Sequence, residues 1–198
     1  MPLPPDLPTE LPPQHPSFPE TPPSPWVVSH AAQVNEGTGS TGSTGRNILD
    51  LASGGGRHSK LFLDRGCRVT AVDIDLSAMQ PLAENPNLTL VKADLEAEAA
   101  QWPLADRQFD GVVVTNYLWR PLLGHIRDAI APGGVLIYET FAVGNEAFGQ
   151  PRNPDFLLQP GELLDHFHGP LTVVAYEFGP INNPRPAIVQ RICARKDL

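Results

Sequence analysis

The segment 47–59, NILDLASGGGRHS, restricts the fold more than any other stretch of the chain. A short apolar run ends at the acidic Asp50, passes through small residues and enters a helix-forming stretch, the pattern of a β-strand turning directly into a helix. Gly54, Gly55 and Gly56 permit positive φ and let backbone N–H groups approach a ligand closely. The start of the following helix adds a positive end to the same space. Asp73 closes the next apolar strand, where a carboxylate can accept from a ribose diol. These features predict a pocket for a nucleoside that carries a charged tail.

Downstream, apolar runs at 47–51, 68–73, 88–92, 111–115 and 135–139 alternate with helical stretches at 57–65, 77–84 and 121–130. Alternation of this kind builds a parallel sheet with helices on both faces, and strands apolar on both sides suit such a doubly covered sheet. Beyond residue 142 come a loop rich in Gly, Asn and Pro (143–160), a helix near 161–167, and strands at 171–178 and 187–194. GPINNPRP joins those two strands and favours a turn, hence a C-terminal antiparallel hairpin. The expected fold is α/β, a doubly wound, mostly parallel seven-stranded sheet.

Residues 1–25 contain eleven of the 23 prolines and neither Lys nor Arg, and read as a disordered or extended tail. Residues 26–45 join a short helix-prone apolar patch to the flexible GTGSTGSTG linker, and the folded domain is expected over 46–198. A chain of 198 residues suits one domain. The formal charge is -8, from 22 acids against 14 bases. So acidic a chain lacks the field that captures phosphate backbones, and nucleic acid is a disfavoured partner. Cys67 and Cys193 lie in apolar runs without metal-ligand spacing, so they read as core residues and no metal site is expected. The sequence shows neither a membrane-length apolar run nor a secretory signal, and a cytoplasmic protein is expected. The oligomeric state is not fixed, with a monomer slightly favoured.

Two phosphate-binding readings of the glycine loop fail. Ser59 stands where a dinucleotide fingerprint has its third glycine, and Asp50 just before the loop would repel a pyrophosphate. A P-loop would need Gly-Lys-Ser/Thr at a spacing that is missing here. A ligand with an ammonium, a carboxylate, a ribose and a base, but no phosphate, meets these constraints, and S-adenosylmethionine is such a ligand.

NILDLASGGGRHS resembles the first motif of class I, Rossmann-like S-adenosylmethionine-dependent methyltransferases, with Ala52 in place of its first glycine. The similarity continues through VTAVDID, LVKADLE, FDGVVVTNYL and APGGVLIYET, and covers about residues 46–195. Within that family, TNYLWRPLL and IYETFAVGNEAFGQPRNPDFLLQPGELL look most like small bacterial methyltransferases of the tellurite-resistance type. The resemblance implies S-adenosylmethionine as cofactor, with S-adenosylhomocysteine as product. It assigns Ala52, Gly54 and Gly56 to the backbone cradle, Asp50 to the methionine ammonium directly or through water, and Asp73 to the ribose. It further assigns Asp94 to the adenine amino group, Leu95 to the ring, and Asn116 to the methyl-donor end.

Asp75 reads as a helix N-terminal charge and Asp110 as structural. Tyr117, Trp119 and Arg120 lie at the sheet edge where open α/β sheets place ligands, as an acceptor wall or as packing. The loop bearing Asn145, Phe148, Arg152, Asn153 and Phe156 is long enough to be a lid, or else a surface excursion pinned by prolines. His58, Tyr117 and Glu139 are the candidate bases if the acceptor must lose a proton. No Asn/Asp-Pro-Pro-Tyr/Phe tetrad follows the fourth strand, which lowers the odds of amino-group methylation of nucleobases or glutamine. The expected activity is methyl transfer to a small-molecule acceptor, with an RNA or protein acceptor, or a non-catalytic nucleoside-binding scaffold, as alternatives.

Overall fold

The computed structural model describes residues 21–36, 45–97 and 101–198. Residues 1–20 of the expected 1–25 tail, most of the 37–45 linker and residues 98–100 lie outside the described residues. Seven strands, β1 (Asn47–Leu51), β2 (Arg68–Asp73), β3 (Leu88–Lys92), β4 (Phe109–Thr115), β5 (Ile130–Phe141), β6 (Thr172–Ile181) and β7 (Ala187–Arg195), form one sheet in the order β3-β2-β1-β4-β5-β7-β6. The first five are parallel, and β7 runs antiparallel to both β5 and β6. This is the mostly parallel, seven-stranded sheet with a terminal hairpin that the alternation predicts. The chain winds one way from β1 through β3 and then returns to β4 on the other side of β1. A crevice opens at that switch, above the carboxyl ends of the strands.

Side-chain alternation sorts the sheet into two cores. Leu49, Leu51, Val112, Val114, Leu136 and Tyr138 pack on one face with Ile126 of α4 (Leu123–Asp128) and Leu163 and Phe167 of α5 (Glu162–Phe167). Ile48, Val113, Val135 and Ile137 pack on the other with Phe62 of α3 (Arg57–Leu63). Both free cysteines are buried on that second side, as core thiols.

The second core extends toward the N-terminus beyond the expected start near residue 46. Trp26 and Val27 of α1 (Pro25–His30) lie in it, as do Ala31 and Val34, the latter in α2 (Gln33–Glu36). Ser24 and Pro25 explain the helix start: the Ser24 side chain accepts from the Trp26 N–H, and Pro at the first turn loses no needed donor. Arg195 fastens the segment through hydrogen bonds to the Gln33 main-chain and side-chain oxygens at 3.0 and 3.1 Å.

The expected helix at 77–84 is a 3-10 helix, Ser77–Leu82, because Pro81 lacks the N–H that an α-helix needs. Asp75 accepts from the Ser77 N–H at its start, and Asp110 accepts from the Asn47 N–H at 2.8 Å, so both carboxylates are structural. Trp26 is 5% exposed, and Trp26→Ala is expected to cost about 3–5 kcal/mol of stability in denaturant titration. A variant as stable as the wild type would place α1 outside the folding unit.

Candidate functional site

The turn after β1 is built from left-handed backbone: Ala52 at φ 54°, Gly54 at 52° and Gly56 at 77°. Ala52, which stands where the motif has glycine, adopts the conformation that glycine takes freely, at a cost of about 1–2 kcal/mol. Gly56 is fixed by space as well as by φ, because a Cβ there would lie 2.7 Å from Met79 Cε. Around Gly54 a Cβ would meet nothing within 4 Å, so this part of the turn borders open space. The Gly54 N–H donates to Asp73 Oδ2 at 2.7 Å and the Ser53 N–H to the Val72 carbonyl at 3.1 Å, tying the β1 turn to the end of β2.

Two cavities adjoin this turn. One, of ≈ 480 Å³, is lined by Ala52, Asp73, Asp94, Leu95, Glu96 and Tyr117. The other, of ≈ 350 Å³, is lined by Ala52, Gly54, Gly55, Arg57, Asn116 and Tyr117 among others. They share Ala52 and Tyr117, so the ring of Tyr117 and the β1 turn stand between them. A third cavity, of ≈ 190 Å³, shares Arg57 and Asn116 with the second and continues past Glu139 to the β6–β7 hairpin.

The residues around the first two cavities suit a nucleoside with an amino-acid tail. Asp73 spends one lone pair of each carboxylate oxygen on the Gly54 and Asp75 N–H groups and keeps acceptor capacity for hydroxyls. Among the described residues Asp94 accepts from the Glu96 N–H alone and is exposed, and Leu95 supplies an apolar surface beside it. Ala52, Asp73, Asp94 and Leu95 therefore line the first cavity, and Ala52, Gly54 and Asn116 the second, side by side in the crevice. Asn116 holds a left-handed φ of 56° and its N–H donates to the Glu139 carbonyl at 2.9 Å.

Asp50 and Gly56 stand behind that crevice instead of lining it. Asp50 shares a sheet face with Ile48, so its side chain points under α3, where Ser59 Oγ donates to Oδ2 at 2.6 Å and the carboxylate is 1% exposed. The carboxylate expected to meet a ligand ammonium, directly or through water, is here engaged by the helix that carries the turn.

The candidate bases are also differently placed. His58 is buried: Nε2 accepts from the Ser24 N–H at 3.1 Å, which leaves the proton on Nδ1, 3.4 Å from Thr115 Oγ1. The Tyr117 hydroxyl is buried and makes no hydrogen bond of good geometry among the described residues, and burial together with neighbouring Glu96 holds its phenol far above the ordinary range. Glu139 does border a cavity, but Oε1 accepts from Ser24 Oγ at 2.8 Å and Oε2 lies 3.4 Å from Arg191 Nε. None of the three is a free base. Arg120 is likewise committed, pairing with Glu162 at 2.6 Å and donating to the Asp155 and Leu157 carbonyls, which pins the 143–160 loop. Asn145 pins it from inside, donating to the Pro151 carbonyl and accepting from the Ile188 N–H.

Sequence reasoning missed Ser24, Arg57 and Arg191. Ser24 followed by Pro25 carried a legible helix-start signal. The partners of Ser24, 34 and 115 residues away, carried none.

Two buried groups oppose each other in pH dependence. Burial raises Asp50 from 3.8 to about 7 against the hydrogen bonds of Ser59, and burial, helped by the charge of Arg57, lowers His58 from 6.5 to about 3. From about pH 4 to 7 the folded Asp50 keeps a proton that the unfolded chain has released, so its contribution to stability falls as pH rises. From about pH 3 to 6.5 the folded His58 lacks a proton that the unfolded chain holds, so its contribution rises with pH. Asp50→Asn removes only the falling component. Its melting temperature should climb more steeply than that of the wild type between about pH 4 and 6.5; parallel profiles would contradict a raised, buried carboxyl.

Residues 48–134 match the model of a methyltransferase domain. A malonyl-[acyl-carrier protein] O-methyltransferase of Enterobacter lignolyticus (strain SCF1) is 36% identical over 102 residues, 48% of this chain and 39% of that protein. The chain spans between 39% and 54% of the length of the curated relatives it matches. Among solved structures, TehB from Haemophilus influenzae superposes with a TM-score of 0.63 at 18% identity, over 87% of this chain and 61% of that one. The 1,6-didemethyltoxoflavin-N1-methyltransferase of Burkholderia thailandensis, solved with 1,6-didemethyltoxoflavin and S-adenosylhomocysteine bound, gives 0.61 at 20% identity, over 87% and 76%. Residues 48–134 thus resemble a methyltransferase domain, and the sheet order and the solved neighbours agree on the class I, Rossmann-like methyltransferase fold.

Proposed function

We propose that this chain transfers a methyl group from S-adenosylmethionine to a small-molecule acceptor, with the crevice at the ends of β1 to β4 holding the cofactor. The observation that carries this reading is the adjacency of the three cavities, the first and second sharing Ala52 and Tyr117 and the second and third sharing Arg57 and Asn116. The first, with Asp73, Asp94 and Leu95, suits the ribose and base. The second, under the glycine turn with Arg57 and Asn116, suits the amino-acid end. The third opens from that end and is too small for a folded partner. A small heterocycle bound in the Burkholderia thailandensis neighbour supports an acceptor of this scale.

When bound, S-adenosylmethionine supplies a methyl group on a sulfonium, ready for in-line displacement. The protein's part is then to orient and to exclude water, and fixing two reactants in line can supply roughly 7–11 kcal/mol. Asp73 holds the ribose against the β1 turn, and that turn is itself held by the Gly54 N–H that Asp73 accepts. Asn116, anchored by its N–H to β5, and Arg57, whose Nη1 donates to the Pro22 carbonyl at 3.3 Å, frame the passage between donor and acceptor cavities. Residues 21–25 close the acceptor side, because Ser24 is tied to both His58 and Glu139.

Asp73→Ala should weaken S-adenosylhomocysteine binding by roughly 2–4 kcal/mol, about 30- to 1000-fold, while the circular dichroism spectrum stays native. Calorimetric titration measures it. Wild-type affinity in the variant would move the ribose elsewhere.

A further inference from the structure

The third cavity carries chemistry of its own. Its polar groups are Ser24, Arg57, Asn116, Glu139, Asn183 and Arg185. Glu139 is the sole carboxylate among them, and it is offset by Arg191, across the β5–β7 register, and by the Ser24 hydroxyl. Among the described residues two guanidinium groups, of Arg57 and Arg185, remain in excess.

Arg185, on the β6–β7 turn, donates from Nη2 to the Gln150 carbonyl at 3.2 Å and lies over the Phe141 ring at 5.5 Å, with no carboxylate within salt-bridge reach among the described residues. Arg57, half-buried, likewise has no ion pair in the described residues and spends Nη1 on the Pro22 carbonyl. A guanidinium has five N–H donors, so most of the donor capacity of both side chains is unspent. Between them the wall is apolar, with Phe141, Ile181, Pro184 and Val189. Arginine forks match carboxylates two N–H groups at a time, which a neutral ligand cannot reciprocate.

The reacting end of the cavity lies at Arg57 and Asn116, where it meets the donor cavity, and offers no free base. The His58 ring is engaged on both nitrogens, the Tyr117 hydroxyl is buried, and Glu139 is hydrogen-bonded and paired. An acceptor that must first lose a proton, such as an aliphatic alcohol, is poorly served by such a site. One that already presents a lone pair needs only alignment.

We infer that the acceptor is a small carboxylate-bearing molecule: Arg185 holds its charge, the apolar wall holds its body, and its reacting atom carries a free lone pair toward the Arg57–Asn116 junction. In the transfer that lone pair forms the bond to the methyl carbon. The S–CH3 bond breaks, its electron pair stays on sulfur, and no proton has to leave beforehand. This inference rests on the cofactor reading above and adds the acceptor's chemical class.

The test uses the full chain saturated with S-adenosylhomocysteine and a matched pair of probes, benzoate and benzamide. Benzoate should bind at least about tenfold more tightly than benzamide, a difference of about 1.4 kcal/mol. Arg185→Gln should abolish that preference, Arg185→Lys should restore part of it, and neither should change the affinity for S-adenosylhomocysteine. Equal binding of the two probes, or a benzoate preference that survives Arg185→Gln, with S-adenosylhomocysteine still bound, overturns the acceptor inference and leaves the methyltransferase reading standing. Failure of the wild type to bind S-adenosylhomocysteine sinks that reading, and this inference with it.

Discussion

The hydrogen bond from the Gly54 N–H to the Asp73 carboxylate, 2.7 Å long, joins the two strand ends on which the crevice depends. It demands a turn whose backbone N–H points across to the neighbouring strand, and left-handed φ at Ala52, Gly54 and Gly56 delivers that geometry. The same carboxylate also accepts from the Asp75 N–H, so the β2 end and the turn behind it are fixed as one unit. The acidic residue that faces the first cavity is thereby set in place in advance, as preorganisation for a ligand would require.

A second set of polar groups lies beneath that unit, on the α1 and α3 side of the sheet. Ser24, His58, Thr115 and Glu139 come from four separate parts of the chain and meet in hydrogen bonds beside the apolar core on that side. Buried polar groups are tolerated when they are paired, and here the pairing fastens the N-terminal segment to the sheet beside the third cavity. His58 and Glu139 thus serve the site by holding its wall. Their attraction as catalytic bases came from residue type, and burial removes the freedom that the role requires.

Much of the fold was legible because central strands must be largely apolar on both faces, as Ile48, Leu49 and Leu51 and Val112 through Val114 are. The turn after β1 was legible from its glycines, and Asp73 from its place at a strand end. The side on which Asp50 points was also open to reading: it shares parity with Ile48 and not with Leu49 and Leu51, so it faces α3. The 3-10 character of Ser77–Leu82 was announced by Pro81. What the sequence hid were contacts across long separations. Arg120 meets Glu162, and Ser24 meets Glu139, 42 and 115 residues apart, and no local pattern marks either pair. Arg185 sits in a Pro- and Asn-rich turn that reads only as a turn, and its stacking on Phe141 emerges once the hairpin lies beside β5.

The central claim is that the crevice at the ends of β1 to β4 is matched to a sulfonium-bearing adenosine. A crystal structure of the chain grown with S-adenosylhomocysteine tests it most directly. The account predicts the ribose hydroxyls on Asp73, the base beside Leu95 and Asp94, and the amino-acid end under the glycine turn near Arg57. Density for the nucleoside elsewhere, or a dinucleotide seated with its phosphates on Gly54 and Gly55 in competition soaks, would contradict it.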